Sequence, residues 1–501
     1  MKRIFAALLG IWLGTTGAQA AGILRIGIGE DPDPLDPATG GSYVGRIVFA
    51  AMCDKLVDID AKLGFVPQLA TSWAWSADNL ALTVMLREGV NFQDGSPVDA
   101  EAVRINLERY RTAPNSLRKG ELRPVSAVEV VDKRTVRLVL AQPYAPLVAV
   151  LADRAGMLIS PKSLGMLGGA GLWKPDCAGA FRLTERVAQD RIVLDRFAGY
   201  WNAAAINLDR IVYQPIVDTT VRLVNLQSGQ LDMIERMAPS DAAAVKANPK
   251  LRLLSLPGIA YQGLYINTRN GPRSDNPLSR DPRVREAFEK SIDRTVLNQV
   301  VLEGQFVPSN QAEAPGTPYW NAARPVPARD VAGAKALMKA AGYARVAFEI
   351  TIANSPIAVQ TGELLQSMAA EAGFDIKLRA MEANAAVAAA QSGDYQMTTG
   401  IWSGRADPDG NIAIWLASDG FLNWGKYSNP KLDDLLVRAR AITDVAQRQA
   451  LYRQISDIYL DERPMIVMYH QNWLFATSEK LTGFVPVPDG LIRPQGIALR
   501  N

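Results

Sequence analysis

Two segments, FVPQLATSW (Phe65–Trp73) and LREGVNFQDGSP (Leu86–Pro97), carry the most specific pattern in this chain of 501 residues. Between them, Leu80–Leu86 alternates in the manner of a half-buried strand. Directly after them, Val98–Tyr110 is predicted to be a helix, with Asp99 as its N-cap. The two segments therefore flank a strand and lead into a helix.

The rest of the chain continues this alternation of strands and helices. Further strands are predicted at Ile23–Ile28, Thr135–Leu140 and Arg191–Phe197. Helices are predicted at Asp218–Leu226, Asp281–Leu302, Asp330–Ala341, Val359–Ala372 and Leu432–Leu460, the last with a break near Ile442–Val445. Mixed βα order over this length indicates an α/β architecture with more than one sheet. Because no Pro/Gly/Ser-rich linker interrupts the chain, we expect lobes joined by continuous chain, with a ligand-binding cleft between them.

The N-terminal segment has the order of features found in a secretory leader. Two basic residues begin it, Ile4–Leu13 is almost wholly apolar, and Ala18-Gln19-Ala20 supplies the small residues of a cleavage site. We predict a signal peptide over residues 1–20; an uncleaved anchor or a buried N-terminal helix are the alternatives. The apolar run is shorter than the roughly 20 residues that span a bilayer. Since Ala21 follows the cut, no lipoprotein cysteine is present, and a Gram-negative periplasm is expected.

Composition limits the classes of function. Hydrophobic residues make up 48% of the chain, which predicts large buried cores rather than disorder. The formal charge is +3, and removing the two basic residues of the leader leaves +1. Such a balance gives no basic excess with which to bind nucleic acid or anionic lipid.

Histidine and cysteine are too sparse for several chemistries. A zinc site or a serine–histidine–acid triad would depend on the single histidine, His470. It follows the apolar run Met465–Tyr469, so we interpret it as a structural residue at the end of a strand. Cys53 and Cys177 either form a disulfide, as is common in an oxidising compartment, or are two separate buried thiols.

Residues 65–73 and 86–97 resemble the signature of the extracellular solute-binding proteins of peptide, opine and nickel ABC importers, bacterial solute-binding family 5. The family usually has His where this chain has Gln93. Further blocks that resemble the family follow in the same order: 178–181 with 190–196 and 200–201, 226–232, and 261–267 with 281–287. The resemblance runs from about Ile23 to the C-terminus.

The resemblance implies a two-lobed α/β periplasmic binding protein of the cluster C, or Venus flytrap, type. Lobe I is expected over residues 22–262 plus 480–501, with an extra subdomain at 56–165, and lobe II over 263–479. A hinge would close the lobes on a ligand. The implied partners are an ABC permease and its ATPase in the inner membrane; we expect a monomer with no cofactor, no metal and no catalytic residues.

The segment Ile401–Asn411 resembles the specificity loop of the family and supplies Trp402, Ser403, Arg405 and Asp407 as candidate ligand-binding residues. In peptide-binding relatives, an aspartate near the position of Arg405 pairs with the α-ammonium of the ligand. A guanidinium there favours an anionic or hydroxyl-rich group instead. The alternative is that Arg405 pairs with Asp407 or Asp409 and shapes the loop. The relatives' carboxylate-binding arginine, near residues 354–356, also has no evident counterpart.

Other candidates come from aromatic residues and from lobe I. Trp424, like Trp402, is either an aromatic wall of the pocket or a core residue. The stretch 40–43 resembles a ligand-contacting loop and supplies Gly41, Ser42 and Tyr43. Tyr261 is a further candidate at the crossing between lobes. Asp407 and Asp409 could instead be acid/base residues or cap the following helix, the latter being favoured.

These features predict a binding module that captures a small peptide-like or amino-acid-derived solute. A carrier for an oligosaccharide, another polyol or an opine is the main alternative. A nickel carrier is disfavoured, since one histidine and no cysteine cluster leave few ligands for that ion. A secreted hydrolase is a remote alternative, because no activated nucleophile accompanies His470.

Overall fold

The computed structural model of the protein describes residues 22–166 and 174–500; the predicted leader, residues 1–20, lies outside them. The strands in the described residues are β1 (Gly22–Ile28), β2 (Val57–Ile59), β3 (Phe65–Pro67), β4 (Ala70–Trp75), β5 (Ala81–Leu86), β6 (Val125–Asp132), β7 (Thr135–Leu140), β8 (Phe181–Val187), β9 (Arg191–Arg196), β10 (Leu208–Pro215), β11 (Met233–Ile234), β12 (Leu251–Ile266), β13 (Val307–Pro308), β14 (Val346–Ala353), β15 (Phe374–Met381), β16 (Met397–Trp402), β17 (Met465–Ser478), β18 (Leu481–Thr482) and β19 (Ala498–Leu499).

The α-helices of the same residues are α1 (Tyr43–Met52), α2 (Ala100–Thr112), α3 (Lys119–Leu122), α4 (Leu147–Leu151), α5 (Pro161–Leu164), α6 (Thr219–Gln227), α7 (Ala242–Ala247), α8 (Pro277–Arg280), α9 (Pro282–Ser291), α10 (Arg294–Val301), α11 (Val331–Ala340), α12 (Pro356–Ala370), α13 (Ala383–Ser392), α14 (Asp409–Leu416), α15 (Pro430–Ala441) and α16 (Val445–Glu462). Among the described residues, none of these helices has the length and apolar character needed to cross a bilayer.

One large mixed sheet runs through the molecule. Its strand order is β15-β14-β16-β12-β17-β11-β1-β10-β9-β8, with β13 paired to β17. The long strands β12 and β17 pair antiparallel along most of their length, and the regular pairing is interrupted between Pro257 and Tyr261. These two strands therefore link the two halves of the sheet.

A separate four-stranded antiparallel sheet, β4-β5-β7-β6, lies within the range predicted for the extra subdomain. Helix α2 packs on it, and Asp99 caps that helix by accepting the amide N–H of Ala102. The apolar side chains of this sheet and helix form their own buried cluster, which includes Leu82, Val84 and Leu107. The α/β architecture with more than one sheet is thus confirmed.

Two predicted boundaries were wrong. The helix predicted over Asp281–Leu302 is two helices, α9 and α10, because Asp293 caps the second by accepting two amide N–H groups. Strand β17 does not end at His470 but continues to Ser478, since its polar residues there lie where the strand passes from one half of the sheet to the other. The break predicted near Ile442–Val445 is confirmed.

Two buried links lie where the chain enters and leaves the range predicted for the subdomain. Cys53 and Cys177 are joined in a disulfide, the first of the two alternatives left by the sequence. Beside it, the buried Gln93 side chain donates to three backbone carbonyls, including that of Phe181 at 2.7 Å, and accepts the amide N–H of Cys177. Gln93, which stands where the family usually has His, thereby joins segments far apart in sequence.

Candidate functional site

The loop after β16 is held in one shape by Asn411. The Oδ1 atom of Asn411 accepts the backbone N–H of Arg405 at 2.7 Å and the indole N–H of Trp402 at 3.2 Å. Its Nδ2 atom donates to the carbonyl oxygen of Arg405 at 2.9 Å. At Gly404, φ is +78°, and a Cβ would lie 2.4 Å from the carbonyl oxygen of Ile259. Only glycine lets this loop lie so closely against β12.

Arg405 reaches from this loop to the subdomain. Its Nε atom lies 3.0 Å from Oδ2 of Asp153, and its guanidinium carbon lies 4.5 Å from the centroid of the Trp402 ring. Its Nη1 atom donates to the carbonyl oxygen of Gly404 at 2.7 Å and to Oγ of Ser403 at 3.3 Å. Burial lowers the pKa of Arg405 to about 10, so the group stays charged at neutral pH.

The predicted alternative partners of Arg405 are engaged elsewhere. Asp407 accepts two hydrogen bonds from the guanidinium of Arg448, at 2.7 and 2.9 Å. Asp409 accepts from Arg440 at 2.6 and 3.2 Å. The ion pair of Arg405 therefore runs across the molecule to Asp153 rather than within its own loop.

Positive charge is in excess around Asp153. Arg46 of α1 lies 3.1 Å from Oδ1 of Asp153, and Arg154 lies 3.9 Å from the same oxygen. Burial opposes ionisation of Asp153, but Arg46 and Arg405 outweigh it and hold the pKa of this carboxyl well below its usual range. Burial also lowers the pKa of Arg154, to about 9. One carboxylate thus faces three guanidinium groups, an arrangement that favours an additional anion.

A cavity of about 380 Å³ lies between the subdomain and the opposite half of the molecule. From the subdomain side it is lined by Phe65, Trp73 and Trp75, and from the other side by Glu313, Tyr319, Arg405, Asp407 and Arg448. The wall therefore combines aromatic faces with buried charged groups.

A smaller cavity of about 220 Å³ lies beside the crossing strands. Arg236, Gln262, Thr399, Ile401 and Trp473 are part of its lining. Both polar and apolar side chains line it, and Ile401 is more than half exposed.

Among the predicted site residues, Trp402, Ser403 and Arg405 come together beside Asp153, where Nη1 of Arg46 also lies 3.4 Å from Oγ of Ser403. Asp407 lines the larger cavity, but both of its carboxylate oxygens accept hydrogen bonds from Arg448. Trp424 packs against the ring of Trp415, with centroids 5.2 Å apart, in the aromatic part of a core cluster.

The lobe I candidates and Tyr261 have mainly structural contacts. Ser42 caps α1, and with the amide of Gly41 it binds the carboxylate of Asp33. Tyr43 stacks on Trp473 of the smaller cavity, with centroids 4.8 Å apart. Tyr261 is fully buried and donates to the carbonyl oxygen of Asn411 at 2.7 Å.

His470 is buried, and its Nε2 atom lies 3.0 Å from the carbonyl oxygen of Gln311. Burial lowers its pKa to about 4, so the ring is neutral at physiological pH. Within residues 22–166 and 174–500, no group of three or more His, Cys, Asp or Glu side chains is placed to hold a metal ion.

Sequence reasoning missed Asp153, Arg46 and Glu313. Asp153 precedes an arginine in a segment whose neighbours are apolar, and Arg46 lies within an apolar helix; a charge in such surroundings is a usable signal for a paired, buried group. Glu313 stands in an Ala- and Pro-containing loop, where the sequence gives no indication of burial.

Comparison with known proteins places this geometry in a family. The profile of bacterial extracellular solute-binding proteins, family 5 (middle), matches residues 64–423. This chain belongs to that family. Its members are transport components rather than enzymes. The glutathione-binding protein GsiB of Escherichia coli K12 is 29% identical over 486 residues, covering 94% of this chain and 93% of that protein.

Solved structures agree on the two-lobed periplasmic-binding-protein fold. AgaA of A. tumefaciens R10, in complex with agropinic acid, is 25% identical, with a TM-score of 0.84 over 96% of this chain and 99% of that one. DppA of Helicobacter pylori, with a bound peptide STSA, is 23% identical, with a TM-score of 0.84 over 96% and 98%. NikA of Staphylococcus aureus, with Ni(L-His)2, is 20% identical, with a TM-score of 0.81 over 95% and 99%.

Proposed function

We propose that this protein is the periplasmic substrate-binding component of an ABC importer and that its solute is a small amino-acid-derived or peptide-like molecule bearing a carboxylate. The solute is bound between the lobes and passed to an inner-membrane permease driven by its ATPase. The observation that carries this proposal is Arg405, whose guanidinium lies in the wall of the larger cavity with only 15% of its side chain exposed.

The charge around Arg405 supports an anionic solute. Among the described residues, none accepts a hydrogen bond from Nη2 of Arg405, although Nε and Nη1 are engaged. A solute carboxylate that accepts a hydrogen bond from Nη2 of Arg405 would neutralise part of the excess positive charge of the guanidinium groups around Asp153. Trp402, stacked on the guanidinium, holds it in place for such a contact.

The relatives support the class of solute. Glutathione, agropinic acid, a peptide and a histidine complex of nickel are named for proteins with the same fold or of similar sequence. The predicted signal peptide and the periplasmic relatives support the periplasmic location. The lobe boundaries at 262/263 and 479/480 remain part of the proposal, supported by the crossing of β12 and β17.

The first experiment is native mass spectrometry of the protein purified gently from periplasm, followed by denaturation and identification of the released solute. A carboxylate-bearing amino-acid derivative supports the proposal. A neutral sugar would instead favour the polyol carrier, with Trp402 as its main contact.

The affinity of the identified solute is then compared between wild type, Arg405→Ala and Arg405→Lys by isothermal titration calorimetry. We expect Arg405→Ala to weaken binding by about 2–5 kcal/mol, because a buried ligand anion would lose its partner. Arg210→Ala, which removes a guanidinium from an exposed site on β10, is the matched control. An unchanged Kd for Arg405→Ala would show that Arg405 only shapes the loop.

A further inference from the structure

Glu313 is a buried acid in the same cavity wall as Arg405. Glu313 is only 7% exposed, and it lines the cavity of about 380 Å³. Its Oε1 atom accepts one hydrogen bond, from Nδ2 of Asn411 at 3.2 Å. Because Asn411 also binds the backbone of Arg405, the acid and the specificity loop are held in a fixed relation.

Glu313 has no ion-pair partner among the residues that the structure describes: no Lys, Arg or His side chain forms one with it. Arg448, whose positive charge acts on Glu313, donates through Nη1 and Nη2 to Asp407, through Nε to the carbonyl oxygen of Ala439, and also to the hydroxyl of Tyr319. A buried carboxyl without a cationic partner is costly unless it stays protonated or receives a cation from outside.

The remaining walls suit a cation. Phe65, Trp73, Trp75 and Tyr319 present aromatic rings to the same space. Aromatic faces attract ammonium groups, most strongly where water is excluded. A primary ammonium could therefore donate to the carboxylate of Glu313 while lying against these rings.

We propose that Glu313 binds the ammonium group of the solute, and that Glu313 and Arg405 together recognise a zwitterionic amino-acid head with an ammonium and a carboxylate on one carbon. This rests on the proposed function and adds the chemistry of the ligand end that enters the larger cavity. The acid that is absent at position 405 is thus supplied from another segment, 92 positions earlier in the chain.

The test uses γ-glutamylglycine, L-glutamate and N-acetyl-γ-glutamylglycine as probes, with full-length mature protein. The first two carry an ammonium and a carboxylate on one carbon, whereas acetylation removes the ammonium charge. We expect the zwitterionic probes to raise the melting temperature and the acetylated probe to bind at least about 30-fold more weakly.

Glu313→Gln is expected to lose about 30-fold or more in affinity for the zwitterionic probes and to bind the acetylated probe as wild type does. Gln keeps the shape and the hydrogen bond with Asn411, so the variant should fold. Thr399→Val, in the smaller cavity, is the matched control and should leave both affinities unchanged.

Failure to bind either zwitterionic probe, equal binding of the acetylated probe, or unchanged affinity in Glu313→Gln would overturn the inference. The proposed function is tested by a different result. If the native protein releases a solute that has a carboxylate but no ammonium group, the proposed function holds and only the role of Glu313 is overturned. If the released solute has no carboxylate, the proposed function itself is overturned.

Discussion

The charge state of Glu313 leads to a prediction that needs no ligand. Burial, and secondarily the negative charge of Asp407, raise its pKa from 4.5 to about 8, against the opposing effects of Asn411 and Arg448. In the unfolded chain the same carboxyl ionises near pH 4.5. The folded protein therefore holds a proton that the unfolded chain has released over this interval.

Stability consequently falls as pH rises from about 4.5 to about 8. The interval between these two pKa values corresponds to at most about 5 kcal/mol, at about 1.4 kcal/mol per pH unit. Glu313→Gln resembles the protonated acid at every pH. We expect equal stability of variant and wild type, within about 1 kcal/mol, at pH 5, and an advantage of about 3–5 kcal/mol for the variant at pH 9.

The assay is urea unfolding at both pH values, monitored by tryptophan fluorescence, with the mature wild type, Glu313→Gln and Glu363→Gln. Glu363 is exposed on α12 and controls for the general effect of removing a carboxylate. Burial also raises the pKa of Asp54, to about 7, but this contribution is common to all three proteins and cancels. An advantage below about 1 kcal/mol at pH 9, or an equal gain in Glu363→Gln, would refute the reasoning.

Three further perturbations test other features. Gly404→Ala should lower both stability and solute affinity, since its Cβ would lie 2.4 Å from a carbonyl oxygen of β12. Gly89→Ala is the control: Gly89 also has a positive φ but no atom within 4 Å of the added Cβ, so this variant should lose only about 1 kcal/mol of stability to backbone strain. Equal losses of stability in both variants would contradict the steric argument. Replacing Cys53 and Cys177 by Ser opens a loop closed over 124 positions and should cost about 2–5 kcal/mol in thermal unfolding, a loss that reductant reproduces in wild type only. Gln93→Leu leaves three backbone carbonyls and one amide without their side-chain partner and should cost about 2–4 kcal/mol, measured as a lower urea midpoint; a loss below about 1 kcal/mol would show that water replaces the side chain.

Local patterns predicted the elements well where one face of an element is buried. Strand β5 and helix α2 follow their apolar periodicity, and Asp99 caps the helix as predicted. The prediction at Asp281–Leu302 was wrong because apolar spacing continues through the turn at Asp293, and only the capping geometry ends one helix there.

The candidate site could be predicted only in part. The loop carrying Arg405 has a local signature, so it was found from the sequence. Its partner Asp153 lies on the subdomain, and no single-sequence signal links positions so far apart. The role of Glu313 depends on the cavity formed when the chain folds, and the contact that buries Tyr261 depends on Asn411, 150 positions later.

The two long strands β12 and β17 also determine how the halves of the molecule can move. A paired two-stranded ribbon resists stretching and sliding, because either motion would break its ladder of hydrogen bonds, but it bends and twists where pairing is interrupted. The main interruption lies between Pro257 and Tyr261, and a second irregularity follows directly, between Gln262 and Gly263. We therefore expect rotation about one narrow axis, with each half moving as a rigid body. Since the loop that carries Arg405 packs on β12 at Ile259, within the interrupted stretch, a small twist there acts directly on the Arg405–Asp153 contact, and the rate of solute release depends on a few backbone torsions.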